Sequence, residues 1–186
     1  IMPENKADLK IKICQILKGL KEEAHKFRAQ DLANCLAHYF KINYIDEGLT
    51  CLDLSDSQLD DQDITFLCNA LKQQNHFTSL NLSGNKISES MSSLGEMLTV
   101  NTSLETVILS NNKINDKAIH RFCIFFHDHT GVKTLDLQNN ELTEVSIFYF
   151  ECLIRSHKHP DIRNTVWLFG NNPTGLTSTQ IQERFD

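Results

Sequence analysis

Apolar and polar positions alternate in short segments that recur at regular intervals along most of the chain. In each segment the first, fourth, sixth and eleventh positions are apolar, and such alternation predicts a short strand with one buried face. The segments are LTCLDLSDSQL at 49–59, FTSLNLSGNKI at 77–87, LETVILSNNKI at 104–114 and VKTLDLQNNEL at 132–142. A degenerate fifth copy, NTVWLFGNNPT, occupies residues 164–174. The chain is therefore predicted to be a repeat protein.

The ninth position of these segments is asparagine in every copy after the first. The residues are Ser57, Asn85, Asn112, Asn140 and Asn172, at intervals of 28, 27, 28 and 32. An asparagine amide can donate to and accept from backbone groups that a tight turn leaves unpaired. We therefore expect the asparagines to form a buried structural ladder without a chemical role.

Between the strands, apolar residues change to helical spacing, which is typical of a helix with one buried face. The first such set is Ile64, Leu67, Cys68 and Leu71. Candidate N-caps stand where each helix begins, at Asp60, Ser88, Asn115 and Thr143. A strand and a helix about every 28 residues predict an α/β solenoid, with short parallel strands on the concave face and helices on the convex face.

The N-terminal region has a different pattern. Residues 7–27 and 30–42 each place apolar side chains on one side, which predicts two amphipathic helices. The predicted domains are an N-terminal helical cap at 1–48, the repeats at 49–174 and a C-terminal capping segment at 175–186. The helical pair either covers the open end of the solenoid or binds a partner by itself.

The segments follow the pattern L-x-x-L-x-L-x-x-N-x-L, and residues 49–174 resemble the ribonuclease-inhibitor-like subfamily of leucine-rich repeat proteins. That subfamily includes ribonuclease inhibitor, the activating protein of the Ran GTPase, sensor domains of innate immune receptors and effectors of intracellular bacteria. With few repeats and an irregular last copy, the chain is most similar to the effectors. The resemblance implies a leucine-rich repeat solenoid that binds proteins.

In such a solenoid, the strand residues that point away from the core line the concave face. The candidate partner-binding residues are Asp53, Ser55, Ser79, Asn81, Ser83, Thr106, Ile108, Ser110, Thr134, Asp136, Gln138 and Leu168. Most of them are short and polar, which favours a protein partner with basic or hydroxyl groups. An alternative explanation is that these side chains only keep the strands soluble.

Two functional hypotheses follow from this surface. The first is a non-enzymatic protein-interaction module, which the resemblance extends to a bacterial effector acting in a host cell. The second is a regulator or adaptor of an enzyme, such as a small-GTPase modulator or a ubiquitin-ligase substrate adaptor. A GTPase activator delivers an arginine to the transition state, but the loops at 56–58, 84–86, 111–113 and 139–141 contain none.

The concave face offers little chemistry. Cys51 and the serines have no histidine in the same row, and a nucleophile needs a base beside it. Four histidines, His127, His129, His157 and His159, follow two consecutive helices and are a conceivable metal site. They are better explained by the negative ends of the helix dipoles. We therefore predict no enzyme activity, no cofactor and no metal.

Charge and composition narrow the range of partners. The chain has 18 basic and 24 acidic residues, and 49–186 carry ten basic and 17 acidic side chains, which argues against nucleic acid. No apolar run is long enough to span a membrane. The six cysteines lack metal or redox spacing and are typical of reduced, buried thiols. We expect a monomer that binds a protein in the cytoplasm, or in a host cytosol after secretion.

Overall fold

The computed structural model describes residues 6–26, 28–45, 48–126, 131–156, 166–170 and 172–185. Its strands form one parallel sheet in the order β1-β2-β3-β4-β5, so each strand pairs with the next along the chain. The strands are β1 (Cys51–Asp53), β2 (Ser79–Asn81), β3 (Thr106–Ile108), β4 (Thr134–Asp136) and β5 (Val166–Leu168). This topology confirms the predicted α/β solenoid.

Helices form a second layer beside the sheet. They are α1 (Lys6–Glu23), α2 (Ala29–Phe40), α3 (Asp61–Leu71), α4 (Met91–Val100), α5 (Asp116–Phe126), α6 (Glu144–Ser156) and α7 (Ser178–Phe185). Each helix from α2 to α6 contacts the next one, and α6 contacts α7. The central strand residues Leu52, Leu80, Val107 and Leu135 are fully buried between the layers. The leucine positions of the repeat therefore form the core.

The predicted asparagine ladder is present. Asn85 donates from Nδ2 to the carbonyl oxygens of Leu54 and Leu82, each at 2.9 Å. Its Oδ1 accepts from the backbone N–H of Leu59 at 2.9 Å, so one amide joins two repeats. Asn112 and Asn140 repeat this arrangement. All three are buried, whereas Asn172 makes the equivalent bonds but is only half-buried.

The position before Ser57, Asn85, Asn112 and Asn140 adopts a left-handed backbone conformation. Its φ angles are +49° at Asp56, +66° at Gly84, +56° at Asn111 and +52° at Asn139. Glycine, asparagine and aspartate tolerate this conformation best. At Gly84 a Cβ would also lie 1.9 Å from the Asp56 carboxylate, so a larger residue there would displace that side chain. The turn therefore favours a small set of residue types.

The N-terminal helices cover the first repeat. Both α1 and α2 contact α3, and the rings of Phe40, Tyr44 and Phe77 pack edge to face with centroids 5.4–6.0 Å apart. Lys21 of α1 forms ion pairs with Asp60 at 3.1 Å and Asp63 at 3.0 Å. A π-helical turn, Lys41–Ile45, leads from α2 toward β1. The domain boundaries at residues 48 and 174 stay predictions.

Three of the four predicted helix caps accept hydrogen bonds from backbone N–H groups. Asp60 forms a capping box with Asp63, Asn115 accepts from Ala118, and Thr143 accepts from Val145. The prediction for Ser88 is wrong. Its hydroxyl donates to the Asp61 carboxylate of the preceding repeat at 2.7 Å, and α4 begins three residues later.

At two places an aspartate of one helix binds backbone N–H groups at or just before the start of the next helix. Asp61 Oδ1 accepts from the backbone N–H groups of Ser88, Glu89 and Ser90, each at 2.9 Å. Burial raises the pKa of the Asp61 carboxyl, but hydrogen bonds from Ser88 and Ser90 more than offset this, so its pKa lies below the ordinary value. The carboxylate therefore holds the turn that leads into α4, which begins at Met91.

Asp116 does the same for α6. Its carboxylate accepts from the backbone N–H of Thr143 at 2.9 Å and of Ser146 at 3.2 Å, and from both hydroxyls. Burial raises the pKa of Asp116, and the hydrogen bonds from Ser146 and Thr143 lower it by more, so the net pKa is again below the ordinary value. The third repeat is thus joined to the fourth in the way the first is joined to the second.

The second and third repeats are joined differently. Gly95 lies in α4, where a Cβ would sit 2.9 Å from Phe125 Cβ and 3.1 Å from the Phe122 carbonyl oxygen of α5. The two helices therefore pack more closely than a larger residue would permit. At their exposed edge, Glu89 accepts from Arg121 at 2.9 Å. A close glycine contact and a surface ion pair take the place of the aspartate cap.

Candidate protein-binding face

The strand register sorts the predicted partner-binding residues into two rows that run across the sheet. The first row comprises Cys51, Ser79, Thr106 and Thr134, and the second comprises Asp53, Asn81, Ile108, Asp136 and Leu168. Neighbouring strands lie about 4.8 Å apart, so each row is a ladder of closely spaced side chains. We call these two rows, with Ser55, Ser83, Ser110 and Gln138 just beyond them, the concave face.

Carboxylate and amide oxygens in the second row are held in place by the backbone. Asp53 Oδ1 accepts from the Ser55 N–H, and Asp136 Oδ1 accepts from the Gln138 N–H, both at 3.0 Å. Asn81 Oδ1 accepts from Ser83 in the same way, also at 3.0 Å. These bonds restrict the side-chain rotamers before any partner arrives. Ile108 interrupts the polar row with an apolar side chain.

Exposure differs along the concave face. Asp53 is exposed, and most of the other described members are half-buried. Ser110 differs because it is only 8% exposed, so its hydroxyl contributes little to a contact surface. Its carbonyl oxygen instead accepts from the Gly84 N–H and the Asn112 amide. Leu168 lies in β5 opposite Asp136, and its side chain lies outside the described residues.

A cation that sequence analysis missed reaches this surface. Lys10 of α1 donates to the Ser55 hydroxyl at 3.2 Å, across 45 residues of sequence. The first-strand end of the concave face therefore combines Asp53 with a lysine from the N-terminal helices. Helical spacing placed Lys10 on the polar side of α1, but only the packing angle of that helix brings it to the strand.

Cys68 and Cys123 lie in helices α3 and α5, away from the strands of the concave face. Burial raises the pKa of both Cys68 and Cys123 to about 12, so these thiols are poor nucleophiles. Among the described residues, no three His, Cys, Asp or Glu side chains are arranged to hold a metal ion. The conceivable site of His127, His129, His157 and His159 lies outside the described residues.

The cysteines depart from one expectation. All six are free thiols, but only Cys68 is buried, while Cys35, Cys51 and Cys152 are exposed. Hydrophobic spacing placed most of them in the core, whereas these three lie at helix or strand positions that face outward.

None of the described helices is long and apolar enough to cross a lipid bilayer.

Comparison with known proteins agrees with the repeat assignment. A family described as "Leucine Rich repeat" matches residues 73–90 and 100–122. Human NACHT, LRR and PYD domains-containing protein 13 is 30% identical over 113 residues, 60% of this chain and 11% of that protein. Mouse NACHT, LRR and PYD domains-containing protein 9C is 33% identical over 109 residues, 57% of this chain and 11% of that protein. The chain therefore spans about a tenth of the length of these relatives.

A solved structure has the same fold. Leiomodin-1 actin-binding site 2 superposes with a TM-score of 0.57 at 14% identity, covering 74% of this chain and 80% of that one. At this identity the likeness concerns the fold alone. Folds of this kind generally serve as non-enzymatic scaffolds for protein interaction. The parallel sheet, the asparagine ladder and the family match together identify the chain as a leucine-rich repeat solenoid.

Proposed function

We propose that this chain is a protein-interaction module whose concave face and adjoining loops bind a protein partner. The observation that carries the proposal is the second row, in which Asp53, Asn81 and Asp136 are fixed by their own backbone. Because the rotamers are restricted beforehand, binding costs less side-chain entropy.

The chemistry of the face indicates the kind of partner. Aspartates at β1 and β4 favour basic groups, while the hydroxyls of Ser79, Thr106 and Thr134 suit neutral hydrogen-bonding groups. Ile108, half-buried at the centre, offers a small apolar contact between them. A folded protein surface of mixed polarity fits this arrangement better than an extended acidic polymer does.

The test replaces the first row. Ser79, Thr106 and Thr134 are all changed to arginine, because no hydrogen bond within the concave face depends on their side chains. The matched control places arginines on the convex face at Gln62, Ser92 and Cys152, which adds the same charge. Partners captured from a eukaryotic lysate by the immobilised chain are quantified by mass spectrometry. We expect the concave variant to lose them and the convex variant to keep them, and the reverse pattern would refute the proposal.

The alternative role as a small-GTPase modulator has weaker support. In the described part of the chain, Arg121 is bound to Glu89 and Arg184 to Glu144, and neither lies in a loop that follows a strand. An adaptor for ubiquitin ligation needs no such arginine and stays a prediction. Unchanged phosphate release by a panel of small GTPases would remove the modulator role.

We also infer the subtype of leucine-rich repeat and the cellular compartment of the chain. A full helix in each regular repeat and spacings near 28 residues support the ribonuclease-inhibitor-like type. Exposed free thiols at Cys35, Cys51 and Cys152 support a reducing compartment such as the cytoplasm. The bacterial-effector role stays a prediction, and the two relatives compared are from human and mouse. Immunofluorescence of the tagged chain tests the location.

A further inference from the structure

The two N-terminal helices leave an open groove between them. It has a volume of about 370 Å³ and is lined by Ile16, Gly19 and Leu20 of α1 and by Leu32 and Cys35 of α2. Leu20 and Leu32 form its buried floor, whereas Cys35 is exposed. On α1 the lining residues follow helical spacing, so they form one continuous stripe. We call this feature the α1–α2 groove.

Gly19 lies in the middle of this stripe, and no close contact among the described residues explains why the position is glycine. Glycine in a helix interior costs about 1 kcal/mol relative to alanine. Gly95 is explained because α5 packs directly against it. At Gly19, by contrast, an added Cβ would meet nothing within 4 Å outside its own stretch of helix. Space above a helical glycine suits the close approach of another backbone.

The rim of the α1–α2 groove is acidic. Glu23 and Asp31 lie at the rim, one from each helix. Glu23 forms an ion pair with exposed Lys26, three residues further along the chain, at 3.0 Å, and such surface pairs are weak. Within the described residues, the Asp31 carboxylate has no ion-pair partner. Two carboxylates beside an apolar floor complement a cation next to apolar side chains.

We propose that the α1–α2 groove binds an amphipathic helix of a partner protein, with a lysine or arginine beside its apolar stripe. A helix fits because the groove runs between two helices, and a third one completes the packing. The apolar stripe would cover Leu20 and Leu32, its backbone would approach Gly19, and its cation would meet Glu23 and Asp31. This site is separate from the concave face and does not depend on it.

The test uses two fluorescein-labelled amphipathic peptides of about 18 residues, roughly five helical turns. Both have a leucine and alanine stripe, flanked in one peptide by lysine and in the other by glutamate. Fluorescence anisotropy measures their binding to the whole chain. We expect the lysine peptide to bind at least about tenfold more tightly than the glutamate peptide. Equal binding of the two, or no binding of either, would overturn the proposal.

Two variants localise the site, each with a matched control. Gly19→Leu fills the groove and should weaken the lysine peptide at least about tenfold without lowering the thermal midpoint. Gln15→Leu, on the same helix but outside the groove, should leave binding unchanged. Asp31→Lys should reverse the preference between the peptides, whereas Glu22→Lys, an equal charge change outside the groove, should not.

Two further outcomes would contradict the proposal. Unchanged affinity in Gly19→Leu would mean that the peptide binds elsewhere. Sedimentation velocity gives an independent readout of the occupant. A dimer of the wild-type chain that Gly19→Leu dissociates would show that a second copy, not a partner helix, fills the α1–α2 groove.

Discussion

The interfaces between successive repeats are of two kinds, although the repeats themselves look alike. From the first repeat to the second, and from the third to the fourth, an aspartate of one helix binds backbone N–H groups at or just before the start of the next helix. From the second to the third, Gly95 permits close helix packing and Glu89 pairs with Arg121. Asp61 and Asp116 are 55 residues apart, so a two-repeat period is superimposed on the shorter one.

The two kinds of interface place their stabilising groups at different depths. We call the interfaces at Asp61 and Asp116 the aspartate joints. In each, a partly buried carboxylate accepts hydrogen bonds from backbone N–H groups near the start of a helix, where the helix dipole favours a negative charge. We call the interface at Gly95 the glycine joint. It depends on the small size of Gly95 at its centre, and its charged residues, Glu89 and Arg121, lie at the exposed edge. We therefore expect the first kind to respond to charge and pH, and the second to respond to side-chain volume.

The largest expected effect is on the glycine joint. Gly95→Leu should lower the free energy of unfolding by about 3 kcal/mol, since the new side chain collides with Phe125 and with backbone of α5. Gly19→Leu, also in a helix interior, is the control and should not destabilise the chain. Urea unfolding measures both. Helix propensity favours leucine over glycine at both positions, so equal losses in the two variants would mean that the collision with α5 does not explain the effect.

Removing one aspartate cap should have a smaller effect. Asp116→Ala leaves the start of α6 without its acceptor and should lower the free energy of unfolding by about 2 kcal/mol. Glu89→Ala removes two surface ion pairs, with Arg121 and Lys117, and should cost about 0.5 kcal/mol or less. If urea denaturation gives the two variants the same stability, the aspartate joint is no stronger than the surface pairs.

The smallest effect is the pH dependence of the aspartate joints. Asp61 and Asp116 have lower pKa values in the folded chain than the ordinary value of about 3.9. Their contribution is therefore complete above about pH 4 and is lost as the pH falls through the folded pKa values. The double variant Asp61→Asn, Asp116→Asn should lose less stability on acidification than the wild type, in thermal unfolding scans. An identical acid profile would contradict this assignment.

The interior of the solenoid could be predicted because its requirements are local. A leucine at each fixed position needs only the neighbouring repeat, and Asn85 bonds to its own turn at Leu82 and to the preceding repeat at Leu54. The four φ > 0 positions at Asp56, Gly84, Asn111 and Asn139 are also of residue types that tolerate this conformation. Residue type and spacing together are enough for such features.

Lateral contacts between helices could not be predicted in the same way. Ser88 has the residue type and the position of a helix cap. In the structure its N–H and hydroxyl instead bind the Asp61 carboxylate, because the packing of the helices brings Asp61 close to Ser88. Lys10 reaches Ser55 only because α1 lies across the first repeat. For the candidate site, the strand rows followed from spacing, whereas the shielding of Ser110 required the structure.

The alternation of joints limits how a protein of this kind can gain or lose length during evolution. Excising the second repeat alone would set the Asp61 carboxylate against Asn115 at the start of α5, which lacks the hydroxyl that Ser88 and Thr143 donate at the two aspartate joints. Excising two adjacent repeats would restore matching surfaces on both sides of the cut. Gene duplication should therefore be tolerated most readily in units of two repeats.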